Sequence, residues 1–287
     1  MTLLRANPVQ ADTQWRARLD IEVLATPLGS RLGSRLHSGP LRIQRPFFPE
    51  GPKVLHLYLL HPPGGVVGGD QLEVQLKLSA AAQALVTTPA AQKLYRSPIA
   101  TSRVRNTLEV GPDACLEWLP TETIVFDGAR SSNHLLIHLD PSSSYIGWDI
   151  VCFGRPASVA PFSEGQWSSS LEINRGGLPL LIERIQVRGG TPTLTASWGY
   201  ANNLIAATFV CTTPDLDRIG RAAESIRELL REVPDVNAAV TAIDGLVVLR
   251  LQACSLERVR GVLIASWGRT RPFIAGRLAC APRIWST

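Results

Sequence analysis

The apolar positions along the chain change period as the sequence proceeds. From about residue 54 to 210 they alternate with polar positions or form short runs separated by turn residues. LEVQLKL (72–78) alternates strictly, as a strand does when one face is buried. VLHLYLL (54–60), ETIVF (122–126), LLIHL (135–139), YIGWDIVCF (145–153), LLIERIQV (180–187) and LIAATFV (204–210) carry the β-branched and aromatic bias of strands. HPPGGVVGGD, GPDA, DPSSS and RGGTP lie between these segments and supply turn chemistry. No strand–helix–strand alternation appears, which argues against a parallel Rossmann-like sheet. This part of the chain reads as all-β.

The period then shifts to three and four. In PDLDRIGRAAESIRELLREVP, Leu216, Ile219, Ala223, Ile226, Leu230 and Val233 form one helical face. Asp215 is placed to cap that helix and Pro234 to stop it. A second helix is predicted in SLERVRGVLIASWGR, capped by Ser255, with Leu256, Val259, Leu263 and Trp267 on its buried face. LVVLRLQA (246–253) between them reads as a strand. The glycine-rich stretch 27–40 is expected to be a loop, and residues 211–214 are the candidate sub-boundary within one domain.

Composition narrows the picture. At 287 residues and 45% hydrophobic, the chain can bury a large core without staples. Its net charge of +5 comes almost wholly from arginine, since Lys53, Lys77 and Lys93 are its only lysines. These arginines are scattered, not clustered in a stripe with aromatic platforms, which speaks against a nucleic-acid-binding module. Cys115, Cys152, Cys211, Cys254 and Cys280 are odd in number and far apart, which fits buried thiols better than disulfides or a zinc site. No signal-like apolar run opens the sequence and no membrane span is visible, so a cytoplasmic protein is expected.

Few residues offer chemistry. HPPGGVVGGD (61–70) lacks the Gly-Lys-Ser/Thr of a phosphate-binding loop and reads as a tight turn that needs positive φ. His134 and His138 share a face with no third ligand in view. The acids stand out more. Asp149 and Glu183 sit in otherwise apolar strands, and Asp70 ends the glycine loop. Such a carboxylate faces solvent, pairs with an arginine (Arg155 or Arg175 for Glu183), or lines a polar interior. Paired acids also leave open a carboxylate-dependent all-β hydrolase. Apart from that pairing, no nucleophile motif or activated cysteine points to an active site.

Six segments, in order, resemble the urease accessory protein UreD (UreH) family. They are HPPGGVVGGDQL (61–72), TTPAAQKLYRS (87–97), LEWLPTETIVFDGAR (116–130), IGWDIVCFGR (146–155), INRGGLPLLIER (173–184) and PRIWST (282–287). The resemblance covers about residue 55 to the end, and the first 50 or so residues add little. It implies a non-enzymatic scaffold of stacked β-sheets with helix-like coiling and two helices in the C-terminal half. It further implies partners: UreF, the GTPase UreG recruited through UreF, and apo-urease. No tightly bound cofactor is implied, only transient nickel. Asp70, Asp149 and Glu183 fall inside the matching segments and inherit the expected role of lining a polar nickel path, with Arg155 and Arg184 ordering them. Two departures from the family pattern are Gln92, where a hydroxyl residue is usual, and PASVAPFSEG (156–165).

Overall fold

The computed structural model describes residues 15–155, 158 and 160–286. It opens with β1 (Arg16–Thr26), β2 (Gly29–Ser38) and the short β3 (Arg42–Ile43). The chain then shuttles between two sheets through β4 (Leu55–Leu60), β5 (Gln71–Leu78), β6 (Gln83–Thr87), the short β7 (Gln92–Leu94), β8 (Ser102–Val110) and β9 (Cys115–Leu119). It continues through the short β10 (Thr123–Val125) to β11 (Arg130–Leu139), β12 (Ser144–Phe153) and β13 (Gln166–Arg175). β4, β6, β9 and β12 stack parallel in one sheet. β5, β8, β11 and β13 stack parallel in the other. Each parallel crossover is therefore made by a strand of the opposite sheet, with no helix between. That is a β-solenoid-like coil, and it explains how a chain without strand–helix alternation still builds parallel sheets.

β14 (Leu178–Arg188) turns back on β13 as the edge of a seven-stranded sheet. After a four-residue helix α1 (Pro192–Thr195), β15 (Ile205–Thr212) runs antiparallel to β12. Then come α2 (Leu216–Arg231), β16 (Asn237–Ile243), β17 (Leu246–Ala253), α3 (Leu256–Ile274) and a 3-10 turn at Arg283–Ser286. β17 pairs with β15, and β16 forms the edge of the ten-stranded sheet. Asp244 and Gly245 both take positive φ, as a two-residue hairpin turn requires.

Three layers result, and they account for the two kinds of apolar pattern. The seven-stranded sheet has one face against its neighbour and one in solvent, so β5 alternates buried and half-buried positions. The ten-stranded sheet lies between that sheet and the helices, so β9 is buried at every position. One core fills the gap between the sheets; a second fills the gap between the ten-stranded sheet and α2 and α3.

The helices follow the periodicity with two differences. Asp215 accepts from the backbone N–H of Asp217 and Arg218, and Ser255 from Arg258, as capping predicts. Leu216, however, is 66% exposed; α2 packs through Ile219, Ala222, Ala223, Ile226 and Leu229. The second helix also runs further than its predicted face, to Ile274, with Pro272 in its last turns. The stretch 27–40, expected as a loop, is mostly β2, an edge strand paired with β1. Its exposed position hides the alternation that would have marked it. In the segment 156–165, residues 156, 157 and 159 lie outside the described residues.

Candidate functional site

Near the β14 edge the two sheets enclose a cavity of about 120 Å³. Its ten-stranded wall is built by register. Asp149 of β12 pairs with Thr208 of β15, and Thr208 pairs with Arg250 of β17. The three side chains therefore stand in one row on one face, with Cα atoms of Asp149 and Arg250 about 10 Å apart across two strand spacings. On the facing wall, Leu135, Leu171 and Glu183 form the corresponding row across β11, β13 and β14. Arg250 Nε donates to Glu183 Oε1 at 2.8 Å and so joins the two sheets.

The cavity wall is mostly apolar, but Asp149, Glu183, Arg250 and Gln252 are set into it. Gln252 Oε1 and Trp167 Nε1, both on residues lining it, are buried and have no partner among the described residues. Unpartnered buried polar atoms are rare, and a cavity of this volume has room for roughly four waters to satisfy them. Burial pushes the Asp149 carboxyl up to about 6; a hydrogen bond from its backbone neighbourhood at Ile150 opposes this and the Glu183 charge adds to it. Burial, then the Glu183 charge, pushes the Tyr200 phenol up to about 12. Gly147 makes room for another polar group, the Tyr145 hydroxyl. A Cβ there would sit 1.9 Å from the Tyr145 hydroxyl, which lies back along β12.

Chemically, two carboxylates among neutral oxygens can hold a hard or borderline dication weakly. Among the described residues no three His, Cys, Asp or Glu side chains converge into a metal-holding group.

Asp149 and Glu183 thus line one cavity, whereas Asp70 does not belong to it. The Asp70 carboxylate is buried and accepts from the backbone N–H of Trp15 at 3.2 Å and Val67 at 3.0 Å, fixing the glycine loop. That loop is a tight turn, as its composition predicts: Gly64 and Gly69 take positive φ, and a Cβ at Gly65 would strike the Tyr95 ring.

The arginines expected beside the acids are elsewhere. Arg184 points to the outer face of β14 and pairs with Glu172 at 3.3 Å. The Arg155 guanidinium lies over the Phe126 ring, 5.3 Å from its centroid. Arg175 donates to Ser143 O and Thr212 Oγ1. Arg250 holds Glu183 instead, and sequence reasoning missed it. One signal was present: Arg250 is the lone charge in the apolar strand LVVLRLQA, just as Asp149 and Glu183 are nearly so in theirs.

His134 is held between Ser132 Oγ and Ser170 Oγ at 2.9 and 2.7 Å, a structural role. Cys115, Cys152 and Cys211 are buried free thiols, Cys254 is exposed and Cys280 half-buried.

A second polar cluster lies under α3, on the other side of the ten-stranded sheet. Arg271 is fully buried and grips Glu50 through two hydrogen bonds of 2.7 Å and Glu117 through Nε and Nη2 at 2.9–3.1 Å. Trp267 Nε1 donates to Glu117 at 2.6 Å, and His56 Nε2 meets Glu50 at 2.8 Å. Burial resists ionisation of Glu50, but the hydrogen bonds from His56 and Arg271 override it and hold the carboxyl near 2. Trp285 of the terminal PRIW packs 5.5 Å from both Trp148 and Trp267 and donates to Thr87 Oγ1 at 3.0 Å. This cluster ties helix, sheet and C-terminal tail together.

A family model described as UreD urease accessory protein matches residues 16–286. Three similar proteins are each named urease accessory protein UreD. That of Hahella chejuensis is 36% identical, covering 98% of this chain and 94% of the relative. That of Citrobacter koseri is 38% identical, covering 95% and 92%. That of Pseudomonas entomophila is 38% identical, covering 98% of each.

Proposed function

The chain belongs to the UreD urease accessory protein family, and from that premise we propose that it serves urease maturation as a non-catalytic scaffold offering nickel a polar path. The observation that carries this reading is the inter-sheet cavity, where Asp149 and Glu183 face a space in which the buried Gln252 Oε1 and Trp167 Nε1 have no partner among the described residues. A path must bind its cargo loosely enough to release it. Two carboxylates without a thiolate or histidine cage meet that condition. Asp70 enters the proposal as the anchor that shapes the glycine loop, not as a cavity ligand.

The partners follow from the family resemblance. The scaffold binds UreF, UreF brings the GTPase UreG, and the assembly docks on apo-urease in the cytoplasm. No helix among the described residues is long and apolar enough to cross a membrane, which is compatible with that setting. A carboxylate-dependent hydrolase would need both acids free in an open cleft. Asp149 and Glu183 instead line a cavity between two sheets.

Co-expression of the tagged chain with UreF, UreG and apo-urease tests the proposal. The expected result is one co-purifying assembly whose urease gains nickel only when the chain is present. Equal nickel loading with and without it would overturn the reading.

A further inference from the structure

We propose that Arg250 is a gate residue: its guanidinium caps the outer end of the inter-sheet cavity as a built-in counter-cation, and a divalent cation replaces it on Glu183 when it swings outward. The inference rests on the nickel-path reading and adds to it the residue that controls access.

Position is the first argument. β14 is the last strand of its sheet and β17 the last but one of the other, so the Glu183–Arg250 pair spans the sandwich at its edge. Asp149 stands on the same row two strands further in. A cation reaching Asp149 from this edge passes the pair.

Asymmetry is the second. The Glu183 side chain is 17% exposed and that of Arg250 51%, so the carboxylate belongs to the interior and the guanidinium to the surface. The contact uses one donor, Nε, not a bidentate fork. Half-exposed pairs of this kind are weak and readily exchanged. Arg271 shows the alternative: fully buried and held from several sides, it has no freedom to leave.

Charge is the third. With Arg250 in place, one cation faces the two carboxylates. With Arg250 withdrawn, two carboxylates face the cavity alone, and Gln252 Oε1, two residues along the same strand and without a partner among the described residues, adds a neutral oxygen. That is an oxygen-rich seat for a dication, offered only in the open state.

The test is equilibrium dialysis of nickel(II) against the full chain, purified in its accessory complex at pH 7.5, for wild type, Arg250→Gln, Arg250→Lys and Arg250→Gln/Glu183→Gln. Removing the competing charge should tighten nickel binding by about tenfold in Arg250→Gln. Arg250→Lys should stay near wild type, and the gain should vanish in the double variant. Unchanged affinity in Arg250→Gln, or a gain that survives Glu183→Gln, would overturn the gate. Arg250→Met offers the same comparison with the apolar stem retained should the glutamine variant fold poorly. Failure of the underlying path shows differently, as normal nickel loading of urease by Asp149→Asn and Glu183→Gln chains with Arg250 intact.

Discussion

The two polar clusters on opposite faces of the ten-stranded sheet use the same residue types to opposite ends. Under α3, Arg271 is wrapped by Glu50, Glu117 and the Trp267 ring, and the cluster is nearly saturated, with His56 Nδ1 left without a partner among the described residues. Between the sheets, among the described residues, Asp149 has no cationic partner, Glu183 has one half-exposed partner, and two neighbouring polar atoms have none. A saturated buried network fixes a structure, because any member removed leaves a charge stranded. An under-satisfied one costs stability and persists where something else is meant to complete it. The contrast separates the part of the molecule that holds the fold from the part that handles cargo.

The largest expected break of this contrast is on the clamp side. Glu117→Ala or Arg271→Ala strands a buried charge and should cost about 3–5 kcal/mol, read as a collapse of thermal stability or loss of soluble protein. An unchanged melting temperature would show that the cluster is not the anchor described here.

Next comes the tail. Trp285→Ala removes a ring packed against Trp148 and Trp267 and should cost about 2–3 kcal/mol, since the ring is only partly buried. Denaturant titration would measure it.

On the cavity side the sign reverses. The Asp149 carboxyl titrates near 3.8 when unfolded and about 6 when folded, so the folded chain binds more protons in that window. Stability is therefore lost as pH rises from about 4 to about 6. Asp149→Asn escapes that loss. Its melting temperature should exceed wild type by about 2–6 °C at pH 7.5, with the difference closing toward pH 4. A lower melting temperature at pH 7.5 would place Asp149 with the structural cluster instead.

The smallest effect sharpens the comparison by its absence. Asp235 and Arg258 form a short exposed ion pair at the surface. Arg258→Ala should give no resolvable change in melting temperature or in urease activation, since such pairs are screened by solvent.

Much of this was legible in the residues. Strict alternation marked β5, continuous apolar runs marked β4, β12, β15 and β17 of the doubly covered sheet, and capping residues marked both long helices. β13 was missed because Ser168, Ser169 and Ser170 put polar side chains on both faces of QWSSSLEINR. Two of them, Ser169 and Ser170, line the cavity, so the polarity that makes the site also hid the strand. Asp149 and Glu183 were recognisable as acids in apolar strands. Their neighbour Arg250 was not, because only the pairing of residues 149, 208 and 250 across three strands brings it there, and register between distant strands is not written in local pattern. Arg271 escaped for the same reason: its partners Glu117 and Glu50 lie more than 150 residues away.

The most direct test is the nickel content of urease matured in cells by an Asp149→Asn/Glu183→Gln chain, measured beside recovery of the intact accessory complex. The expected result is a complex assembled at wild-type yield and urease nickel reduced by about tenfold, the scale of losing a weak charge contact to the cargo. Full nickel loading by the double variant would contradict it.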